Sequence, residues 1–232
     1  MKDISSTGSF IDFTLENFIY VDKTEYIPKL VKLKRVFISR PRRFGKSMAA
    51  NMLAAYYSKG CDSRELFKGL QIEKNASYEK YLNKFDVIHF DVQCCFKEAG
   101  SAEKTVSFIT QTILSELRDI YGDIIPEHVK KVSGALAYIS AATGNKFVII
   151  VDEWDVLIRD EADNKAVQEE YIDFLRDLFK GTEPAKYIAL AYLTGILPIK
   201  KYRTQSALNN FDEYTMLDPG SLAPYIGFTE EE

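Results

Sequence analysis

The residues with the clearest chemical potential lie between positions 36 and 47, Val-Phe-Ile-Ser-Arg-Pro-Arg-Arg-Phe-Gly-Lys-Ser. Three apolar residues, Val36, Phe37 and Ile38, run into a loop that closes on Gly45-Lys46-Ser47, and a helical pattern (Ala49, Met52, Leu53, Tyr56) follows at once. Strand, loop, then a helix opened by Gly-Lys-Ser is the context of a phosphate-binding P-loop. Loop N–H groups and a helix N-terminus present positive partial charge to a polyphosphate. In such a loop Lys46 reaches the β/γ-phosphates and the Ser47 hydroxyl holds Mg²⁺. The candidate nucleotide cradle is therefore Arg40, Pro41, Arg42, Arg43, Phe44, Gly45, Lys46, Ser47 and Met48. Two features depart from the motif. Arg40 stands where the first glycine is usual, and Pro41 removes a backbone donor. A basic turn before a helix accounts for the same residues, so the loop alone leaves both readings open.

A second stretch bears on that choice. The run Phe147-Val-Ile-Ile-Val151, bounded by Gly144-Asn145 and by Asp152-Glu153, reads as a strand buried on both faces. In P-loop enzymes a buried strand ends in an acid that binds Mg²⁺ directly or through water. Asp152 is placed for that role, and Glu153, one residue on, for orienting or deprotonating an attacking water. Thr194 ends the next apolar run and fits either a γ-phosphate sensor or a threonine that simply closes a strand. Phosphoryl transfer also calls for an arginine on the developing charge, for which Arg42, Arg43 and Arg203 are the candidates.

The elements that must position these groups alternate. A helix from Glu25 to about Lys34 is expected with Thr24 as its N-cap, followed by the strand into the loop and the loop helix, stopped at Gly60. Residues 61–84 read as loop with short helical pieces. A strand is expected over Asp86–Val92, with His89 as a core or edge residue, and a helix over Ala102–Tyr121. The next helix is expected to open at Pro126 and stop at Gly144. After the 147–151 strand come a helix over Asn164–Lys180, a strand over Tyr187–Thr194 and a short strand over Glu213–Leu217. Strands alternating with helices predict an α/β fold, a mostly parallel sheet covered on both faces, with ligands at the carboxyl ends of the strands. Residues 1–19 read as a loosely ordered lead-in, with Phe10, Ile11 and Phe13 packed down, and 20–232 as the domain.

Composition is that of an ordinary globular chain: 232 residues, 46% hydrophobic and 28% charged, with net charge −4. The acidic balance gives no nucleic-acid signal overall, yet Lys32–Lys46 holds seven basic residues and no acidic one. That run fits an anion site or a solvated basic face. The N-terminal Met1-Lys2-Asp3-Ile4-Ser5-Ser6 lacks an apolar signal region, and no apolar run approaches the ~18–20 residues that span a bilayer. Three cysteines, two of them adjacent (Cys94, Cys95), suit a reduced cytoplasmic compartment and offer no metal-ligand spacing.

Six strings taken in order, Tyr20-Val-Asp-Lys-Thr24, Ser39-Arg-Pro-Arg-Arg-Phe-Gly-Lys-Ser47, Val151-Asp-Glu-Trp-Asp155, Leu193-Thr-Gly-Ile-Leu197, Leu208-Asn-Asn-Phe211 and Gly227-Phe-Thr-Glu-Glu231, resemble the bacterial AAA-ATPase-like family. Its members are often followed by a PD-(D/E)XK-type nuclease domain. The resemblance implies an ATP-binding P-loop domain of the additional-strand type, with a central strand inserted between those carrying the two motifs. It implies the roles argued above for Lys46, Ser47, Asp152 and Glu153, and it accounts for Arg40. Trp154 stands where tyrosine is usual. The family's helical lid and nuclease domain would follow Glu232, so the chain reads as truncated before them. Three functions follow as expectations: Mg-dependent ATP hydrolysis, a non-hydrolysing nucleotide switch, and a nucleic-acid-associated part of a nuclease or defence system. ATP and Mg²⁺ are the expected ligands. Nucleic acid reached through such a nuclease domain and an oligomeric state are the expected wider partnerships.

Overall fold

The structure, a computed structural model, describes residues 21–199 and 208–227. The 1–19 lead-in with Phe10, Ile11 and Phe13, the candidate Arg203, and the Phe-Thr-Glu-Glu end of the last string lie outside the described residues. Helix α1 (Tyr26–Leu33) leads into strand β1 (Arg35–Ser39), and helix α2 (Lys46–Tyr57) follows the loop. Two 3-10 turns and the short α3 (Tyr78–Tyr81) bridge to β2 (Asp86–Asp91). Helices α4 (Val92–Ala99), α5 (Ala102–Tyr121) and α6 (Val132–Thr143) precede β3 (Phe147–Asp152). Then come α7 (Val156–Asp160), α8 (Lys165–Phe179), α9 (Pro184–Tyr187), β4 (Ile188–Gly195) and β5 (Asp212–Tyr214).

The five strands form one parallel sheet in the order β2-β3-β4-β1-β5. Strand β4 therefore separates β1, which carries the loop, from β3, which carries Asp152. This is the additional-strand arrangement that the resemblance implied. The register brings the functional ends together: Ser39 pairs with Gly195, Ile38 with Thr194, and Val151 with Leu193.

Side chains alternate across the sheet. Phe37, Ile149, Val151 and Leu193 point to one face, where Ile109 and Leu117 of α5, Leu136 of α6 and Leu175 of α8 cover them. Val36, Ile38, Val148, Ile150 and Tyr192 point to the other, against Leu30 of α1 and Leu53 and Tyr56 of α2. Each fully buried aliphatic side chain contributes about 1.5–3 kcal/mol, so two filled faces hold the strand ends in place. Among the described residues no helix is long and apolar enough to cross a membrane.

Two local expectations are corrected. Thr24 does not cap α1. Its hydroxyl donates to Asp22 Oδ1 at 2.6 Å and accepts from the Ile72 N–H at 3.0 Å, while Asp22 Oδ2 accepts from the Gln71 N–H at 2.6 Å. The Val-Asp-Lys-Thr string is a clamp on a distant turn, and the unsatisfied N–H groups of that turn outcompete local capping. Pro126 does not open a helix either. It begins a turn, with Val129 N–H donating to its carbonyl at 3.0 Å, and Arg118 Nη2 holds the Val129 carbonyl at 2.7 Å. The helix starts at Val132. Helices α4 and α7 were not anticipated. Asp91 caps α4 by accepting from the Cys94 N–H at 2.8 Å. His89 is buried in the edge strand β2, and Cys61, Cys94 and Cys95 are free thiols.

Candidate functional site

The loop between β1 and α2 is secured at both shoulders. Ser39 Oγ donates to the Ile196 carbonyl at 2.7 Å and the Arg40 N–H to the Gly195 carbonyl at 3.1 Å, so the loop starts bound to the end of β4. Arg40 is buried. Its Nη1 donates to the carbonyls of Ser39 at 2.9 Å and Tyr214 at 3.1 Å, tying the loop to the edge strand β5. Burial draws the guanidinium pKa down from its usual value, and the neighbouring Tyr26 and Tyr192 act the other way. At the far shoulder the Phe44 ring packs on Gly227, 3.2 Å from where a β-carbon would sit there.

Between those anchors the chain coils through two left-handed residues, Arg43 (φ 67°) and Gly45 (φ 72°). Gly45 is the position directly before α2, and the space where a Cβ would lie is open. Pro41, Arg42, Arg43, Gly45 and Ser47 are exposed, while Phe44 and Met48 are half-buried. Arg42 and Arg43 have neither hydrogen-bond nor ion-pair partners among the described residues.

Lys46 behaves differently from its neighbours. It is only 4% exposed, and its Nζ donates to the Pro41 carbonyl at 3.1 Å and lies 3.7 Å from Glu153 Oε1. A buried ammonium with a single hydrogen bond in hand retains donors for another acceptor.

Across β4, the ends of β3 and β4 are joined by polar contacts. The Thr194 hydroxyl donates to Asp152 Oδ1, and both side chains are buried. The Glu153 N–H donates to the same oxygen at 3.0 Å, and the Trp154 N–H donates to the Thr194 carbonyl at 2.9 Å. This turn places Glu153 at φ 50°, a left-handed conformation uncommon for a residue with a side chain. Burial raises the Glu153 pKa. Lys46 opposes the rise, the charges of Asp152 and Asp155 add to it, and Arg159 opposes it. On the neighbouring strand Asp91, paired with Asp152 in register, is also raised by burial, against the backbone N–H of Cys94.

The structure thus brings Lys46, Glu153, Asp152 and Thr194 into one chain of contacts. Ser47 sits exposed in the first turn of α2. Arg40 is committed to β5 rather than to the loop mouth. Sequence reasoning missed Asp155 and Arg159. Asp155 is wholly buried and accepts from the N–H groups of Ile196 (3.3 Å) and Leu197 (3.0 Å), and Arg159 Nη1 reaches it at 3.1 Å. The acid-to-arginine spacing of four residues was the available signal. Gly195 was missed as well. A β-carbon there would lie 2.6 Å from both Trp154 Nε1 and Asp155 Oδ1, so only glycine lets the turn close on β4.

An uncharacterized protein of the vnfD 5′ region of Azotobacter chroococcum mcd 1 is 26% identical over 220 residues, covering 94% of this chain and 41% of that protein. The chain therefore spans about two-fifths of that relative's length. The profile of an AAA-ATPase-like family, described as predicted AAA-ATPases, matches residues 5–204. With the parallel sheet order and the loop-to-helix geometry already in place, that match assigns the fold: the chain belongs to the predicted AAA-ATPase family.

Proposed function

We propose that the 40–48 loop binds Mg-ATP and that the chain hydrolyses it. The observation that carries this reading is Lys46: nearly buried, facing Glu153 across an inserted strand, and with one hydrogen bond among the described residues. The residues fit the ligand. Gly45 leaves open space at the helix start, so the loop backbone can approach phosphates closely. Ser47 and Asp152 offer a hydroxyl and a carboxylate. Among the described residues no group of three or more His, Cys, Asp or Glu gathers around a metal position. A nucleotide-bound Mg²⁺ requires none, because phosphate oxygens and waters complete its shell. When bound, the ion would neutralise charge on the phosphates.

In this reading Lys46 turns from Pro41 and Glu153 to the phosphates. Asp152, held by the Thr194 hydroxyl, would hold the ion together with Ser47. Glu153 orients the attacking water and accepts its proton, a task favoured by a carboxylate whose pKa burial has raised. Thr194 acts by holding Asp152.

Phosphate release from Mg-ATP tests the proposal. The wild-type chain is expected to release phosphate, Lys46→Ala to lose both binding and release, and Glu153→Gln to bind and not release. Equal turnover by Glu153→Gln would remove Glu153 as the base. Binding without release in the wild type would favour a nucleotide switch.

A further inference from the structure

We propose that Arg159 is a positioning residue for Glu153, holding the carboxylate in place once Lys46 has turned to phosphate. The inference rests on the reading of Glu153 as the group that orients the attacking water. Two cations bracket that side chain. Lys46 Nζ is 3.7 Å from Oε1, and Arg159 Nη1 is 3.9 Å from Oε2. Of the two, only Lys46 is wanted elsewhere in the reaction, because a phosphate would draw it away.

Arg159 is fixed for the task from several sides. It sits in α7, in the turn that follows Glu153. Its Nε donates to Asp160 Oδ1 at 2.9 Å and its Nη1 to Asp155 Oδ2 at 3.1 Å. Asp155 is itself anchored: wholly buried, it accepts from the N–H groups of Ile196 and Leu197 beyond β4. The guanidinium is thereby referenced to the end of β4, the strand that also carries Thr194. Its Nη2 is buried and without a partner among the described residues. A planar fork held at two edges has little freedom left to lose, so the hold on Glu153 costs little entropy. Glu153 itself has a left-handed backbone, a conformation that persists only where surrounding contacts hold it.

The test uses the 232-residue chain with Arg159→Gln, Arg159→Lys and each combined with Glu153→Gln. Arg159→Gln is expected to lower kcat by about 10- to 100-fold with the ATP dissociation constant within about twofold of wild type, the size of effect a small displacement of a catalytic group produces. Arg159→Lys is expected to recover part of the loss. In the Glu153→Gln background, which is expected to bind without release, Arg159→Gln is expected to leave the ATP dissociation constant within about twofold, since Arg159 acts through Glu153 and not on the nucleotide. A fall in ATP affinity matching the fall in kcat, or a loss of affinity in the Glu153→Gln background, would overturn the proposal and point to direct phosphate contact. A second readout is independent of turnover: the side-chain ¹³C carboxyl resonance of Glu153, identified by its disappearance in Glu153→Gln. It is expected to move in Arg159→Gln at fixed pH, and an unmoved signal overturns the proposal. A moved signal in a chain that releases no phosphate retains the positioning role and removes the hydrolytic reading.

Discussion

Lys46 Nζ lies 3.7 Å from Glu153 Oε1, although β4 runs between β1, which leads into the loop, and β3, which ends one residue before Glu153. The distance exceeds a hydrogen bond, so the contact is electrostatic and open to competition. A loop lysine and a strand-end acid converge only because two buried faces fix the ends of three parallel strands in register.

Thr194→Val keeps the shape of its side chain and removes the donor to Asp152. The buried carboxylate then has one hydrogen bond fewer, which costs about 1–3 kcal/mol. Urea denaturation should show that loss as a lower midpoint with an unchanged slope. A midpoint equal to that of wild type would mean that Asp152 finds another donor.

Gly195→Ala places a β-carbon 2.6 Å from Trp154 Nε1 and Asp155 Oδ1. The overlap is expected to cost about 1–3 kcal/mol or more and to displace Trp154, which packs edge-on to Phe37 at 5.6 Å. Trp154 is the single tryptophan of the chain, so its emission reports the turn directly. An unshifted spectrum would contradict the close approach.

Arg40→Gln separates architecture from ligand binding. The Ser39 and Tyr214 carbonyls lose a charged donor, at a cost of about 1–3 kcal/mol in stability. The ATP affinity of the folded variant is expected to fall less than that of Lys46→Ala. The reverse order, measured by titration of both variants, would make Arg40 a phosphate ligand.

Glu153 carries a pH signature. Burial, ahead of all opposing charges, raises its folded pKa, so the native chain holds this proton more tightly than the unfolded chain does. Its contribution to stability is full below the unfolded value of about 4.3 and is lost as pH rises through the folded value. Glu153→Gln cannot ionise, and relative to wild type it should gain stability between about pH 4 and about pH 7. Denaturation midpoints at the two pH values check this, and a constant difference between variant and wild type would contradict it.

The strands were legible because a run such as Phe147–Val151, apolar at every position, has few alternatives to a strand buried on both faces. Asp152-Glu153 was legible because it ends such a run, and Gly45-Lys46-Ser47 because it closes the loop that follows one and opens a helix. Strand order was not readable from periodicity. It came from the family resemblance, and the sheet bears it out. Helix α7, at five residues, is too short to show a period, so Arg159 stayed hidden although it stands four residues after Asp155. The reading of Thr24 as a cap failed because its hydroxyl answers a partner 48 residues away, which no local pattern encodes.

Calorimetric titration of Mg-ATP into wild type and Lys46→Ala shows whether the loop lysine binds the nucleotide. Loss of a charge-assisted contact is worth about 1.5–3 kcal/mol, or roughly 10- to 100-fold in affinity. The wild type is expected to bind saturably, and a folded Lys46→Ala variant at least about tenfold more weakly. Equal affinity in the two would take Lys46, and with it the 40–48 loop, out of the nucleotide site.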